Sequence, residues 1–426
     1  MKPTLRFSVL PLAVLFAVAA AWAGDTQTTL YSFQGIHTGK ADGAQPSGGL
    51  IADAAGNLYG TAYYGGAKCT LSTTKGCGTV FELSNSGGTW TETILYTFTG
   101  GADGAFPNSN LIFDASGNLY GEAFRGGNAS CNDGCGVIFE LSPNSSGGWT
   151  ETSAYSFTDT TDGLNPIGGL TFDASGNLYG TTVFGGTGAC GIGCGIIFEL
   201  SPVSGGGWSK TTVYNFSNGT GGFYPVGGVI FDSAGNIYGT LSQGGSLNVN
   251  GGCSNGGCGT VFRLTKISGG WRFGLLYTFQ GPKGIQPNAS LVMDAAGNLY
   301  STTNYGGSSA SAGVAFELSP TTQGQWKLTL LHAFTDTTDG HEPQGLVMDA
   351  SGNLYGTSSG VAYRLSPSGS GGWEFEILTA LSGGDSFNAP LLRNSAGDFY
   401  GVSYNGGATA NGAVYELTPV TASYSR

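Results

Sequence analysis

Short apolar runs separated by polar turns cover most of this chain, and the runs come in groups of four. One group reads GGLTFD, NLYGTTVF, CGIIFELS and WSKTTVYNF between residues 168 and 216. The runs are rich in β-branched and aromatic residues and are bounded by Gly, Pro, Asn or Ser, which is typical of strands between turns. No segment keeps a period of 3.6 residues, so the sequence predicts strands and almost no helix.

The group of four runs recurs seven times. Its clearest landmark is an eight-residue turn and strand start, DAAGNLYG or a close variant, at Asp53, Asp114, Asp173, Asp232, Asp294 and Asp349, with a degenerate copy, NSAGDFYG, at Asn394. Successive copies are 45 to 62 residues apart. Tandem repeats of four short strands predict an all-β protein in which each repeat is one blade of a β-propeller.

The two ends of the chain are complementary and predict a closed ring. TLYSF at 29–33 is a fourth strand with no three strands before it, and GAVYELTP at 412–419 is a third strand with no fourth after it. Continuous apolar runs such as IIF also fit strands buried on both faces. We therefore expect a seven-bladed propeller of four-stranded blades closed by the N-terminal strand. The alternative, an open solenoid, would need polar capping repeats.

The first 23 residues have the pattern of a secretory signal peptide. Lys2 and Arg6 precede an apolar run, and Ala21 and Ala23 fit the small-x-small pattern of a cleavage site. The run is shorter than the roughly 20 apolar residues of a membrane span. We expect a signal peptide at 1–23, a mature chain that begins at Gly24, and one propeller domain at 24–426, secreted and without a membrane span.

Composition narrows the classes of partner. The formal net charge is −12, only 10% of residues are charged, and 78 of 426 residues are Gly. A strongly acidic surface repels nucleic-acid phosphates and anionic lipid headgroups, so we expect neither as a partner. High glycine content with 12% aromatic residues fits short strands joined by tight turns.

Each repeat matches a longer pattern, read as L-Y-S-F, D-G-x-x-P, G-L-I-x-D-A-x-G-N-L-Y-G-T, G-G and G-x-V-F-E-L-S-P. From Leu30 to Pro419 this closely resembles the GloVer-type tandem repeat of "choice-of-anchor" bacterial secreted and surface proteins. More loosely, it is similar to NHL-type propellers, which mostly bind partners. The resemblance implies an extracellular protein. Many such proteins carry a C-terminal anchoring signal, and this sequence departs from them by ending LTPVTASYSR, which leaves surface attachment open.

Cysteines occur in pairs, one pair between the second and third strands of each of the first four repeats. In an exported chain, pairs that are present or absent together predict disulfides within loops. Zinc is the alternative, but pairs on four separate blades cannot easily converge. The predicted bonds are Cys69–Cys77, Cys131–Cys135, Cys190–Cys194 and Cys253–Cys258.

Candidate catalytic groups are few, and none is assigned a catalytic role. The Asp of D-A-x-G-N is interpreted as a turn cap. The Glu of F-E-L, which Arg263 and Arg364 replace in two blades, is expected on a solvated face. His332 takes the Tyr position of L-Y-x-F and is expected to pack. His341 beside Glu342 could act as acid and base in a hydrolase or lyase.

Strand parity places the Cys loops and the D-G-x-x-P connections at the same end of the ring, where long variable loops favour binding. The residue before each Pro is predicted to form a ring around the central opening. The proposed ligand-binding residues are Gln45, Phe106, Asn165, Tyr224, Gln286 and Glu342, with Ala389 as the seventh member of the ring. Asp42, Asp103, Asp162 and Asp339 behind them either cap turns or hold a cation such as Ca²⁺.

The functional expectation is a monomeric, extracellular, non-catalytic propeller that binds a glycan, a peptide or a protein. Two alternatives stay open: a secreted enzyme acting on an extracellular polymer, and a purely structural component of the cell surface or matrix.

Overall fold

A computed structural model describes residues 26–36, 42–66, 69–71, 73, 75–245, 253, 256–308, 310–369, 371–381 and 389–418. This part of the chain contains thirty strands and one 3₁₀ turn at Gly281–Lys283. No helix in it is long and apolar enough to cross a membrane. The predicted signal peptide at 1–23 and the expected mature start at Gly24 lie outside the described residues.

The strands form seven antiparallel blades, and in blades 1 to 6 the chain enters at the innermost strand and moves outward. Blade 1 contains β2 (Gly43–Pro46), β3 (Ile51–Ala52), β4 (Leu58–Gly65), β5 (Thr79–Ser86) and β6 (Thr89–Thr97). Blade 2 contains β7 (Ala105–Pro107), β8 (Ile112–Phe113), β9 (Leu119–Arg125), β10 (Val137–Pro143) and β11 (Trp149–Ser156). In both blades the innermost strand is split into two short pieces that pair with the same second strand.

Blades 3 to 6 have four strands each. Blade 3 contains β12 (Leu164–Phe172), β13 (Leu178–Phe184), β14 (Ile196–Pro202) and β15 (Trp208–Asn215). Blade 4 contains β16 (Ile230–Phe231), β17 (Ile237–Leu241), β18 (Thr260–Ile267) and β19 (Gly270–Thr278). Blade 5 contains β20 (Val292–Met293), β21 (Leu299–Thr303), β22 (Val314–Pro320) and β23 (Trp326–Ala333). Blade 6 contains β24 (Val347–Met348), β25 (Leu354–Ser358), β26 (Val361–Pro367) and β27 (Trp373–Ala380).

Blade 7 is built from both ends of the described chain. It contains β28 (Leu392–Arg393), β29 (Phe399–Ser403), β30 (Ala413–Thr418) and, as its outer strand, β1 (Thr26–Ser32). β1 pairs antiparallel with β30, with Thr26 opposite Thr418 and Ser32 opposite Ala413. The seven-bladed propeller closed by the N-terminal strand is therefore confirmed.

The hydrophobic core is divided into seven buried clusters, one at each boundary between blades. At six boundaries a Phe just after the outer strand meets an aromatic ring on the third strand of the next blade, edge to face. The pairs are Phe33–Phe81, Phe98–Phe139, Phe157–Phe198, Phe216–Phe262, Phe279–Phe316 and Phe334–Tyr363, with ring centroids 5.0 to 5.3 Å apart. Each such pair adds about 0.5–1.5 kcal/mol to the burial of its area.

A glycine in each of six blades allows the next blade to approach closely. Gly78 has a φ of +100°, and a Cβ added there would lie 2.5 Å from Cδ of Pro107. The same contact recurs in the pairs Gly136–Pro166, Gly195–Pro225, Gly259–Pro287, Gly313–Pro343 and Gly412–Pro46. A side chain at these glycines would push neighbouring blades apart, so the contact fixes the spacing of the ring.

Candidate functional site

The two ends of the ring differ in their chemistry. One end, called the turn end, carries the D-A-x-G-N turns. Asp53 Oδ1 accepts the backbone N–H groups of Ala55 and Asn57 at 2.9 Å, and Asp53 Oδ2 accepts the side-chain amide of Asn57. The corresponding bonds recur at Asp114, Asp173, Asp232, Asp294 and Asp349. The interpretation of these aspartates as turn caps is confirmed.

The Glu of F-E-L lies on a face that is only partly solvated. Tyr179 donates its hydroxyl to Glu199 at 2.8 Å, and Trp208 of blade 3 lies with Nε1 3.4 Å from Glu140 of blade 2. Both carboxylates are half-buried. In blade 3 the Trp that starts the outer strand packs over the neighbouring blade, as the 5.7 Å contact between Trp208 and Tyr120 shows.

The other end, called the loop end, carries the cysteine loops and the D-G-x-x-P connections. The structure contains the four predicted disulfides, Cys69–Cys77, Cys131–Cys135, Cys190–Cys194 and Cys253–Cys258, so this prediction is confirmed. The second cysteine of each pair is buried in the core between two blades. The disulfides therefore fasten each loop to a blade boundary.

The six predicted ligand-binding residues, called the pre-proline residues, share one backbone conformation. Gln45, Phe106, Asn165, Tyr224, Gln286 and Glu342 have φ between 49° and 61°. Each donates its N–H to a carbonyl of the preceding blade, and in four blades the acceptor is the second cysteine: Cys77, Cys135, Cys194 and Cys258, at 2.8 to 3.0 Å. Each pre-proline residue therefore ties its blade to the one before it.

The side chains of the pre-proline residues lie along the blade boundaries. Phe106 stacks on Tyr63 with ring centroids 5.0 Å apart, and Asn165 Nδ2 donates to the carbonyl of Phe124 at 2.7 Å. Tyr224 meets Phe184 edge to face at 5.1 Å. Of the six, Glu342 is the one that lines the central cavity. Phe106, Asn165 and Tyr224 thus each contact a residue of the preceding blade.

The Asp of each D-G pair caps the connection that precedes it. Asp103 Oδ2 accepts the N–H of Thr99 at 2.7 Å and the hydroxyl of Tyr96 at 3.1 Å. Equivalent bonds hold Asp42, Asp162 and Asp339. These four carboxylates lie at four different boundaries, and no group of three His, Cys, Asp or Glu suited to a metal occurs in the described part of the chain. The turn interpretation is confirmed for them.

The two described histidines have different surroundings. His332 stacks on Phe375 with ring centroids 3.7 Å apart, and its Nε2 lies 2.8 Å from Asp339 Oδ2, so it packs in the Tyr position as expected. His341 Nδ1 lies 2.7 Å from Asp336 Oδ1, and both side chains are exposed. The partner that the structure gives His341 is thus Asp336, and no hydrogen bond between His341 and Glu342 occurs among the described residues.

A central cavity of about 430 Å³ lies inside the ring. Its wall is formed mainly by the residues that follow each inter-blade proline, with Asn304 and Glu342 at the loop end. The first residue after the proline contributes Ser47, Asn108, Ile167, Val226, Asn288 and Gln344 from blades 1 to 6, and blade 7 contributes Pro390. These lining residues, apart from Glu342, were not among those predicted from the sequence, although the repeated proline with variable residues after it was a usable signal.

A buried glutamate lies behind the cavity wall. Where blade 1 has Thr61, blade 2 has Glu122, which is completely buried. Glu122 Oε2 accepts the N–H of Gly169 at 2.9 Å, next to the cavity-lining Gly168, and Oε1 has no hydrogen-bond partner among the described residues. Burial raises the pKa of Glu122 to about 7. This carboxyl can therefore hold or release a proton near neutral pH.

Half-buried aromatic rings cluster at the loop end between blades 1 and 2. Tyr63, Tyr64 and Phe106 form this aromatic patch, with ring centroids 4.8 to 5.6 Å apart. Lys75 Nζ lies 4.9 Å from the centre of the Tyr64 ring. Burial raises the pKa of Tyr63 to about 12, so its hydroxyl stays a neutral donor. The two tyrosines end strand β4 and were not among the residues predicted from the sequence.

Comparison with solved structures supports the fold. A streptogramin B lyase aligns with a TM-score of 0.54 and 14% identity over 94% of this chain and 99% of that chain. Virginiamycin B lyase from Staphylococcus aureus aligns at 0.54 and 12%, over 92% of this chain and 99% of that chain. An extracellular domain of a hybrid two-component system from B. thetaiotaomicron aligns at 0.53 and 14%, over 92% of this chain and 42% of that chain. At these identities the similarity shows the fold alone.

Comparison of sequences gives a family. No curated protein matches the chain. The family model described as the Gloeobacter/Verrucomicrobia repeat matches residues 13–252 and 193–360, which together span most of the chain. The matched segments contain the D-A-x-G-N turns, the paired cysteines and the inter-blade prolines that build the first five blades. The chain belongs to the Gloeobacter/Verrucomicrobia repeat family.

Proposed function

We propose that the protein is an extracellular, non-catalytic propeller that binds a glycan, peptide or protein partner at the loop end of the ring. Four disulfides support an oxidising, extracytoplasmic compartment. The formal charge of −12 disfavours nucleic acid and anionic membranes. Loops on a rigid scaffold are the usual place for binding.

The observation that carries the proposal is the aromatic patch. Its rings are held before a partner arrives, because Phe106 is fixed by the bond from its N–H to Cys77 and by its stacking on Tyr63. Cys77 is in turn bonded to Cys69. Aromatic side chains fixed in place lose little conformational entropy on binding and offer both an apolar face and, in Tyr, a hydroxyl.

A binding role agrees with the candidate chemistry better than an enzymatic one. His341 is bonded to an exposed aspartate, His332 packs against Phe375, and the turn aspartates are occupied by backbone amides. The lyases that share the fold do so at 12–14% identity, which carries no activity to this chain.

Array screening with substituted proteins tests the proposal. Purified full chain is applied to glycan and peptide arrays, and the best partner is then titrated against Phe106→Ala and Tyr64→Ala. We expect each substitution to weaken binding at least about tenfold, as for aromatic hot spots, with the β circular dichroism signal retained. Asn118→Ala at the turn end is the matched control: it should lower the melting temperature and leave affinity unchanged, because Asn118 bonds to Asp114.

Two outcomes would reject the proposal. Binding that survives the patch substitutions and fails with Asn118→Ala would place the functional face at the turn end. Cleavage products released from an arrayed polymer would favour the enzyme alternative.

A further inference from the structure

The central cavity is lined by one charged side chain in the described part of the chain. That side chain is Glu342 of blade 6, and none of the described lining residues is Lys or Arg. Glu342 is partly exposed, so it is accessible to a molecule in the cavity. Tyr305 donates its hydroxyl to the Glu342 carboxylate, and this bond raises the pKa of Tyr305. An ionised carboxylate accepts about four hydrogen bonds, so acceptor positions remain for a ligand.

A second carboxyl lies behind another part of the wall. Glu122 is completely buried and accepts the N–H of Gly169, next to the lining residue Gly168 of blade 3. Blade 3 is three blades away from blade 6 in a ring of seven, so Glu122 and Glu342 are on nearly opposite sides of the opening. Glu122 does not line the cavity, but charges are weakly screened inside a protein. Both carboxyls therefore favour a cation in the cavity over an anion.

Part of the wall away from Glu342 is aliphatic. Ile167 of blade 3 and Val226 of blade 4 occupy the same position after the inter-blade proline, and both are partly exposed. The volume of about 430 Å³ lies within the usual range for small-molecule sites. A ligand that suits this wall therefore has a hydrocarbon part and a positively charged group.

The groups on the wall suit an ammonium ion better than a metal ion. Calcium takes about six to eight oxygen ligands. No group of three His, Cys, Asp or Glu suited to a metal occurs among the described residues. A primary ammonium group donates hydrogen bonds and accepts none, so one carboxylate, with the side chains of Asn304 and Gln344 on the same wall, is sufficient for it.

We propose that the central cavity binds a small primary alkylammonium ion. Its ammonium group donates to the Glu342 carboxylate, and its hydrocarbon part lies against Ile167 and Val226. A free amine and the lysine side chain of a peptide share this chemistry, and the size of the cavity favours the free amine. This site is separate from the aromatic patch and does not depend on the partner proposed there.

Saturation-transfer NMR and calorimetry on the full chain test the site with matched probes. Cyclohexylammonium is compared with cyclohexanol and cyclohexanecarboxylate, which carry a neutral and a negative group on the same ring. We expect the cation to bind with a dissociation constant of about 1 mM or tighter, and the alcohol to bind at least about tenfold more weakly. The carboxylate should bind more weakly than the alcohol, because it brings a second negative charge beside Glu342.

A capped lysine, Nα-acetyl-lysine amide, separates the two sources of an alkylammonium group. We expect it to bind more weakly than cyclohexylammonium, because its backbone amides add polar groups that an aliphatic wall does not pair. Tighter binding of the capped lysine would replace the free amine by the lysine side chain of a peptide.

Glu342→Gln is the decisive variant. Gln45 and Gln286 occupy the same position with the same left-handed backbone, so the variant should fold. Its affinity for cyclohexylammonium should fall at least about tenfold and approach its affinity for cyclohexanol. Glu374→Gln is the matched control, because it removes the same charge from an exposed position on the outer strand of the same blade, and both affinities should stay unchanged.

Ile167→Asn tests the aliphatic part of the wall. Asn108 and Asn288 occupy the equivalent position in blades 2 and 5, so this variant should also fold. It should weaken cyclohexylammonium and cyclohexanol alike, by about threefold or more, and leave the ratio of the two affinities unchanged, because it removes apolar contact and no charge.

Four results would overturn the proposal. They are a lack of binding by cyclohexylammonium, binding of the alcohol or the carboxylate as tight as that of the cation, an unchanged cation-to-alcohol ratio in Glu342→Gln, and a loss of affinity in Glu374→Gln as large as in Glu342→Gln. Unchanged affinities in Ile167→Asn would remove the aliphatic wall from the site. Melting temperatures of the three variants check that each is folded.

Discussion

Six residues that precede an inter-blade proline have a left-handed backbone although none of them is glycine. Such a conformation costs a residue with a Cβ about 1 kcal/mol or more. It persists because the N–H of each must reach a carbonyl of the preceding blade, as Gln286 does to Cys258 at 2.8 Å. The hydrogen bond between the two blades offsets the cost of the left-handed conformation. Because this bond is made by the backbone N–H, it does not depend on the side chain. This explains how Gln, Phe, Asn, Tyr and Glu can all occupy the position.

Gln286 offers a direct check of this strain. Its φ is 57°, so Gln286→Gly should leave the free energy of unfolding unchanged or raise it slightly. Gln286→Val should lower it by about 1–2 kcal/mol, because a β-branched side chain disfavours a left-handed backbone. Denaturant unfolding of the two variants beside the original chain makes the comparison. If the valine variant has the same free energy of unfolding as the glycine variant, residue 286 does not have a left-handed backbone.

The turn of blade 7 shows that a degenerate copy of the repeat can still be recognised from its sequence. Its turn has Asn394 and Asp398 where the other blades have Asp and then Asn. The structure keeps the same bonds with the roles exchanged: Asn394 Nδ2 donates to Asp398 Oδ2, and the N–H of Asp398 donates to Asn394 Oδ1, both at 2.9 Å. Turns of this kind depend on neighbouring residues and are predictable from sequence. The pre-proline conformation is not, because it is imposed by a carbonyl from another repeat.

At the scale of the strand, the outer strands differ in one half-buried position. The second residue after the Trp is Glu92 in blade 1, Glu151 in blade 2 and Lys210 in blade 3. In each case it lies near the Asp of a D-G pair. Lys210 Nζ donates to Asp162 Oδ1 at 2.7 Å, whereas Glu92 and Glu151 face Asp42 and Asp103. Two blade boundaries thus place a Glu carboxyl beside an Asp carboxyl, and a third places the Lys210 ammonium beside the Asp162 carboxylate.

The acidic boundaries should make stability depend on pH. Burial, and then the neighbouring Asp, raise the pKa of Glu92 to about 8 and that of Glu151 to about 7. Because these values lie above the unfolded value of 4.5, the folded chain binds protons that the unfolded chain has lost. The resulting stability is complete below about pH 4.5 and is lost as the pH rises towards about 8.

Substitution of these residues tests whether their protonation makes the stability depend on pH. Glu92→Lys with Glu151→Lys should raise the free energy of unfolding at about pH 8 by about 1–2 kcal/mol, allowing for solvent screening, and flatten its pH dependence. Lys210→Glu should create the same dependence at the third boundary, because it replaces an ion pair with a second acidic pair. Urea unfolding between about pH 5 and 9 gives the answer. A stability of the original chain that does not fall over this interval would contradict the raised pKa values.

The strands and turns could be predicted from the local sequence pattern, but the burial of side chains between blades could not. The four runs of each repeat became strands because β-branched residues and flanking glycines act within a few residues. The contact of the F-E-L Glu with the Trp of the next repeat was not predicted, because in the Glu140–Trp208 pair the two residues are 68 positions apart. The central cavity was missed for the same reason, since its wall takes a few residues from each of seven repeats.

At the scale of the whole molecule, the ring is closed by one strand. β1 supplies the outer edge of blade 7, and Phe33, just after it, packs at 5.0 Å against Phe81 of blade 1. The other blades are continuous in sequence, so each of their outer strands is tied to its neighbour by a short turn. Blade 7 instead joins segments almost 400 residues apart, which makes it the place where loss of one strand opens the ring.

Deletion of residues 28–34 should therefore lower stability much more than loss of one aromatic contact. Phe98→Ala is the matched control, because it removes the equivalent pair with Phe139 at an internal boundary, also 5.0 Å, and should cost about 3–5 kcal/mol. The deletion removes the Phe33 contact and also leaves β30 with an unpaired edge. A circular permutant that carries residues 26–36 behind residue 418 through a short glycine-serine linker should recover most of the lost stability, since Thr26 and Thr418 are already opposite each other. The melting temperatures of the three variants are compared with that of the original chain. If the deletion variant melts at the temperature of the original chain, or the permutant melts no higher than the deletion variant, β1 does not hold the ring closed.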